Sequence, residues 1–513
     1  MPTPSALLNL IEDPSDSSLG STLKREILPR WLPERRWFRS KTRAIRSVGF
    51  EAAIPLESVA VLCVVRLEFT DGETEDYLLP LALETPINAE TLPVAARITS
   101  VDTADGESML IDGCWHPAFR TALYARLLNT NPVTVQTEGL IEVLRGRPVS
   151  SAAFVFAAHT GSLTASRVLS AEQSNTSIVY GTGHDAVFVK LYRKLEAGIH
   201  PEPEMLRFLR EQTAYRNVPE YFSALEWNSP QATRTTLALA QEFLPNGIDA
   251  WEHVLASLRA ASDLLDGSVP DDLLALVGRM GRRVGELHAA LGSRADLPDF
   301  APEPFTAADD AILRGETRTR LEETLGRLAD ENHAMPAETA AAARTVLEQG
   351  DALRRILEPA ADQNSAGFKT RTHGDLHLGQ MLVERDDLRI LDFEGEPGRP
   401  LQAARVKRSP LRDVAGMLRS FHYATYVIGR ERGPDRSDLQ SLRLGESFLA
   451  GYFSTVDSAK LLPVQYGERR KLLGLFLLEK ALYELQYEWN NRPDWAVIPL
   501  RGLQAISSAI TNR

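Results

Sequence analysis

Two aspartates, Asp375 and Asp392, flank a stretch whose pattern predicts a small β-hairpin. Met381 to Val383 is an apolar run, E384-R-D-D387 is a charged turn, and Ile390 and Leu391 lead back to Asp392. Folded this way, the chain brings both carboxylates to one polar end. One is then placed to take a proton from a substrate hydroxyl, and the other to hold Mg²⁺ on the phosphates of ATP. Phosphoryl transfer asks for that division: orientation, a base, and cation charge on the transferring group. In isolation the same residues also fit a hairpin loop with solvated acids and a histidine in a hydrogen-bonded turn.

The longer strings H373-G-D-L-H-L-G-Q380, D392-F-E-G-E-P397 and K407-R-S-P-L-R-D-V-A-G-M417 resemble the maltokinases, in the aminoglycoside-phosphotransferase branch of the kinase-like superfamily. The resemblance implies an α+β fold, bilobal and eukaryotic-protein-kinase-like, with an added N-terminal α/β cap. It implies ATP-dependent phosphorylation of maltose at its anomeric hydroxyl, giving α-maltose 1-phosphate and ADP for α-glucan (glycogen) synthesis, with a separate trehalose synthase as a partner. In this frame Asp375 is the catalytic base, and Gln380, Asp392 and Glu394 are the Mg²⁺ ligands. Gln380 stands where many kinase-like enzymes carry asparagine. His373 and His377 brace the loop backbone or transfer the proton, and Asp413 supports the catalytic loop. A D-F-E in place of D-F-G, without an A-P-E segment, argues against a protein substrate. The rival readings are a glucosamine or other small-sugar kinase, and a catalytically silent nucleotide-binding regulator. Lys190, Asp375, Gln380 and Asp392 together speak against the silent reading.

Composition bounds these readings. A chain of 513 residues exceeds one ordinary core, so subdomains are expected. The net charge of -12 argues against nonspecific nucleic-acid binding. Cys63 and Cys114 form no C-x-x-C pair, which fits a reducing compartment. No apolar run approaches the ~20 residues that cross a membrane, and the N-terminus makes a poor secretion signal, so a cytoplasmic location is expected.

Three regions are expected: a cap over 1–135, a nucleotide-binding lobe with hinge over 136–247, and a mostly helical lobe over 248–513. In the cap, V59–F69 and Y77–L81 read as strands and 113–130 as a helix; the aromatic and basic string W31–K41 reads as structural packing. In the second region S166–L169, S177–Y180 and A186–Y192 read as strands. The small polar residues Ser174, Asn175 and Thr176 form a phosphate-covering loop by resemblance, or a plain β-turn. Lys190 is placed to meet the α- and β-phosphates, oriented by Glu204, with Glu202 as the competing partner; the alternative is an edge-strand lysine reaching for water. The backbone of Gln241, Glu242 and Phe243 is the expected adenine contact. On the last long helix Tyr483 and Tyr487 share a face beside Glu484 and Glu488, a platform suited to a sugar or simply a packed helix. The substrate residues are His373, Arg408, Glu484, Tyr487 and Glu488, with Arg408 alternatively paired with acids or facing solvent.

Overall fold

The computed structural model describes residues 7–8, 19–149, 165–261, 268–331, 335–359 and 367–511, excepting 58–59, 104–105, 138–139, 170–173, 230–233, 386, 397, 433–436 and 457–460. The chain divides into two compact units. The first comprises Met1–Arg207, Pro219–Pro245 and Pro400–Gln402; the second comprises Phe208–Val218, Asn246–Arg399 and Ala403–Arg513. The α+β character follows: the first unit is built on antiparallel sheets and the second is largely helical.

In the first unit, one sheet runs in the order Ile45–Leu56, Ala60–Phe69, Thr74–Glu84, Gly106–Asp112, Arg97–Thr103. Successive side chains of a strand point to opposite faces. On Ala60–Phe69 one face therefore presents Val61, Cys63, Val65 and Leu67, which pack with Leu23, Leu28, Trp31, Trp37 and Phe38 into a single core. The W31–K41 string is packing, as expected. Arg35 lies 4.5 Å above the Trp31 ring and donates to the Trp31 carbonyl at 3.0 Å. Ile45–Leu56 was not expected as a strand, because register shifts at Ile45/Ser47 and Phe50/Ala52 break its two-residue alternation.

The second sheet of this unit has the order Val133–Thr137, Leu140–Gly146, Tyr221–Asn228, Arg234–Glu242, Val187–Tyr192, Asn175–Tyr180, Ser166–Val168. Arg193 ties the two sheets together. It is fully buried and donates to Asp112 Oδ2 at 2.6 Å and Thr176 Oγ1 at 2.7 Å, with its guanidinium 4.5 Å above Trp37.

The second unit holds a three-stranded sheet in which Ile248–Asp249 pairs with Met381–Glu384, itself paired with Asp387–Ile390. The expected hairpin is thus present, with a third strand added from the far side of the hinge. Around it lie long helices, among them Asp271–Leu291, Leu411–Arg432 and Tyr466–Asn491. The last stops just before Pro493, which cannot continue a helix. Among the described residues no helix is long and apolar enough to cross a membrane.

Candidate active site

The loop from Arg371 to Gln380 is held by the Leu411–Arg432 helix. Asp413, in that helix's first turn, accepts the backbone N–H of His373 at 2.7 Å and of Gly374 at 3.0 Å. His288 Nε2 lies 3.0 Å from the same carboxylate, and its Nδ1 lies 2.9 Å from the Tyr452 hydroxyl. Burial works to raise the Asp413 pKa, but the bond and charge of His288 outweigh it and hold the carboxyl below its ordinary value. The loop lies directly on the helix: a Cβ at Gly416 would stand 2.4 Å from the Leu376 carbonyl oxygen. Gly374 has φ of +90°, a conformation other residues rarely adopt. Asp413 therefore supports the loop as expected, and His288 is a packed residue acting through it.

The two acidic loops are bonded to each other. His373 Nε2 meets the Leu391 carbonyl at 2.7 Å, Leu391 N–H donates to the Gln380 carbonyl at 2.9 Å, and Gln380 Nε2 donates to Asp392 Oδ2 at 3.3 Å. Asp392 has φ of +61°, in the left-handed region that aspartate tolerates better than most residues. Beneath them the hairpin is anchored by Arg283, which donates to both carboxylate oxygens of Asp387 at 2.9 and 2.6 Å. Asn217 adds a bond to the Leu388 carbonyl at 2.9 Å.

Asp375 opens onto a cavity of 440 Å³, within the ~300–1,000 Å³ range typical of small-molecule sites. Its wall includes Trp251, Tyr423, Tyr483, Tyr487 and Trp495. Every carboxylate in this wall has a cationic partner. Lys480 Nζ donates to Asp375 Oδ1 at 3.0 Å. Arg419 reaches Glu484 Oε2 through Nε and Nη2, each at 2.7 Å. Arg492 meets Glu488 at 2.9 and 2.7 Å, and the Tyr423 hydroxyl donates to Glu488 at 3.2 Å. Burial pushes the Asp375 pKa up, but Lys480 prevails and leaves it below the ordinary carboxylate value. At Glu484 burial prevails over Arg419, and the carboxyl sits above its ordinary value.

Of the residues expected at the substrate, Glu484, Tyr487 and Glu488 line the cavity, and both glutamates are already paired. Two are corrected. His373 is almost fully buried and braces the two loops rather than facing the cavity. Arg408 exchanges backbone bonds with Thr370 at 2.8 and 2.9 Å and is absent from the cavity wall. It is Arg412 that reaches the loop, donating to the Gly374 carbonyl at 2.6 Å and pairing with Glu396 at 2.6 Å. Lys480 was missed. Its signal was the helical spacing of Lys480, Glu484, Glu488 and Arg492, four apart and on one face.

In the first unit, Lys190 sits on a central strand, paired in register with Ser177 on one side and Leu239 on the other. It is buried, so the edge-strand alternative fails. Its Nζ donates to Glu202 Oε2 at 3.1 Å, and the Tyr192 hydroxyl donates to the same oxygen at 2.7 Å. This corrects the Lys190–Glu204 pairing. Both glutamates lie in the first turn of Pro201–Gln212, but residues two apart point to different sides of a helix, and it is Glu202 that is buried.

Two other expectations shift. Asn175 and Thr176 belong to the Asn175–Tyr180 strand rather than to a loop, and Thr176 Oγ1 is committed to Arg193. Of the remaining loop, Ser174 precedes the strand, and 171–173 lie outside the described residues. At the hinge, Glu242 N–H donates to the Glu220 carbonyl at 2.9 Å and Phe243 N–H to the Ala186 carbonyl at 3.1 Å. Those two donors are spent inside the sheet, and Gln241 lies within the strand.

With this geometry the chain was compared with known proteins. Residues 31–115 match the maltokinase N-terminal cap domain, and residues 166–395 match the phosphotransferase enzyme family. The chain thus carries a maltokinase-type cap domain followed by a phosphotransferase-family domain. This kinase is similar to a glucosamine kinase of Mycolicibacterium smegmatis, 28% identical over 343 residues, which span 66% of this chain and 79% of the relative. It is similar to a glucosamine kinase of Streptacidiphilus jiangxiensis, 25% identical over 380 residues, 71% of this chain and 78% of the relative. A solved structure of a glucosamine kinase in complex with glucosamine, ADP and inorganic phosphate aligns with a TM-score of 0.62 at 19% identity, covering 93% of this chain and 98% of that one. The likeness shows that the two share a fold.

Proposed function

We propose that this kinase transfers the γ-phosphoryl group of ATP to an uncharged sugar, maltose, at its anomeric hydroxyl. Asp375 receives the hydroxyl proton, the sugar oxygen bonds to the γ-phosphorus, and the bond to the β-phosphate oxygen breaks, leaving α-maltose 1-phosphate and ADP. The observation that carries the choice of sugar is the charge balance of the cavity wall: Asp375, Glu484 and Glu488 are each paired with a protein cation. A neutral polyol needs bonding partners and aromatic faces, which this wall supplies. An ammonium needs a carboxylate whose charge no protein cation already balances. The maltokinase-type cap agrees with this choice.

The donor set of Gln380, Asp392 and Glu394 fits a hard divalent cation, being carboxylate and amide oxygens, and the side chains of Gln380 and Asp392 are neighbours, Nε2 to Oδ2 at 3.3 Å. Those three residues would hold Mg²⁺, which when bound supplies positive charge to the phosphates. Lys190, aligned by Glu202, would meet the nucleotide; a glucosamine kinase of the same fold holds ADP. A separate trehalose synthase is the partner this reading implies.

A second reading is favoured by the relatives' names: this kinase takes glucosamine. A substrate panel decides between them. ADP release is measured with maltose, glucosamine, glucose and trehalose, and the product is assigned by ³¹P NMR. Turnover of maltose with an anomeric phosphate is expected. Robust turnover of glucosamine beside inactivity with maltose would overturn the assignment.

A further inference from the structure

We propose that Lys480 is a positioning residue for Asp375, fixing one carboxylate oxygen so that the other is presented to the sugar hydroxyl. This rests on the phosphotransfer reading above. Lys480 Nζ holds Asp375 Oδ1 at 3.0 Å, and among the described residues Oδ2 has no partner, while Asp375 itself lines the cavity. The backbone of Asp375 is held as well, its N–H donating to His373 Nδ1 at 3.4 Å. A carboxylate fixed at its backbone and at one oxygen has a single direction left in which to accept a proton.

Lys480 is itself held. Glu396 Oε1 lies 3.5 Å from its ammonium, and Glu396 is in turn paired with Arg412 and Arg399, each at 2.6 Å. Arg412 closes the circuit by donating to the carbonyl of Gly374, the residue before Asp375. Charges alternate along Asp375, Lys480, Glu396 and Arg412, so the ammonium has an acid on two sides and lies nearer Asp375. The Tyr483 ring lies 5.0 Å from the ammonium, and Glu484 follows one turn later on the same helix. The helix that lines the sugar cavity therefore also carries the group that aims the base. Displacement of a reacting group by about 1 Å can cost about 10²-fold in rate, which sets the scale of what Lys480 contributes.

The test uses the full chain and steady-state kinetics with the best sugar acceptor of the panel. K480M is expected to lower kcat about 10²-fold, the cost of a misaimed base, with the KM for ATP unchanged. K480R, which keeps a cationic donor, is expected to recover part of that loss. In a D375N background K480M should cost nothing further, because the lysine acts through Asp375. Losses that multiply in the double variant, or a kcat for K480M within twofold of the unaltered chain, would overturn the proposal. Thermal melts are run on each variant. If K480M fails to fold, K480Q replaces it in the same cycle, judged by the same outcomes. If the unaltered chain turns over no sugar at all, the phosphotransfer reading fails and this proposal with it, a result distinct from a lysine that can be replaced in an active enzyme.

Discussion

Two lysine–carboxylate pairs, one in each unit, divide their roles in opposite ways: Lys190–Glu202 is buried and Lys480–Asp375 is half-buried. In the first unit Lys190 meets Glu202 at 3.1 Å; in the second Lys480 meets Asp375 at 3.0 Å. The carboxylate of the first pair also takes the Tyr192 hydroxyl and is nearly inaccessible, so it serves to aim the lysine. In the second pair the carboxylate is the member with an uncommitted oxygen at a cavity, so the lysine serves to aim it. One bond type thus does opposite jobs. Which partner is fixed from behind and which is presented decides the role. A third pair, the buried Arg193–Asp112, also receives Thr176 and a Trp37 face and serves as a fastener.

The comparison can be broken by removing members of each pair. Asp375→Asn should have the largest effect, lowering kcat by about 10²–10⁴-fold, the usual contribution of a positioned general base, with ATP binding retained. Near-normal turnover in a single-cycle assay would remove Asp375 from the chemistry. Next comes Arg193→Met, which strands Asp112 in the interior. It should lose about 3–5 kcal/mol in urea unfolding, and the activity of whatever remains folded should be close to normal.

Glu202→Gln should be milder. It removes a charged hydrogen bond worth about 1.5 kcal/mol, raising the KM for ATP about tenfold, while Glu204→Gln leaves it unchanged. Equal effects of the two would restore Glu204 as the partner. The smallest effect is expected from pH. Asp375 and Asp413 are both held below the ordinary aspartate value of ~3.9 in the folded chain. As pH falls the unfolded chain binds protons first, so their stabilisation is complete above that value and is lost below it. Glu484, raised by burial, acts in the opposite sense. Urea midpoints should therefore change little between pH 7 and about 5 on account of the two aspartates, and fall below about pH 4.

Much of the fold was legible in sequence. Ala60–Phe69 was read from its β-branched run, Met381–Glu384 and Asp387–Ile390 from two apolar runs around a charged turn, and the aromatic-acidic face of Tyr466–Asn491 from its four-residue spacing. The misses have physical causes. Bulges hid Ile45–Leu56. The backbone of Gln241 to Phe243 was expected at adenine without a choice of groups, because sequence does not reveal that the Glu220 and Ala186 carbonyls already take two of its N–H donors. Glu204 was preferred to Glu202 because both lie in one helical turn, and only packing shows which side faces the strand.

The sequence by itself determined the hairpin and the aromatic-acidic helix face, since each rests on periodicity and turn chemistry within a short window, while the Arg371–Gln380 loop stood out through its resemblance to a known family. The charge pairing was decided only by the tertiary structure. With 57 lysines and arginines and 69 aspartates and glutamates in the chain, nothing local selects Lys480 for Asp375 or Arg419 for Glu484. Those choices are made where separate helices and loops pack together. There a buried charge without a partner costs several kcal/mol, and only the cation brought within hydrogen-bond reach can relieve it.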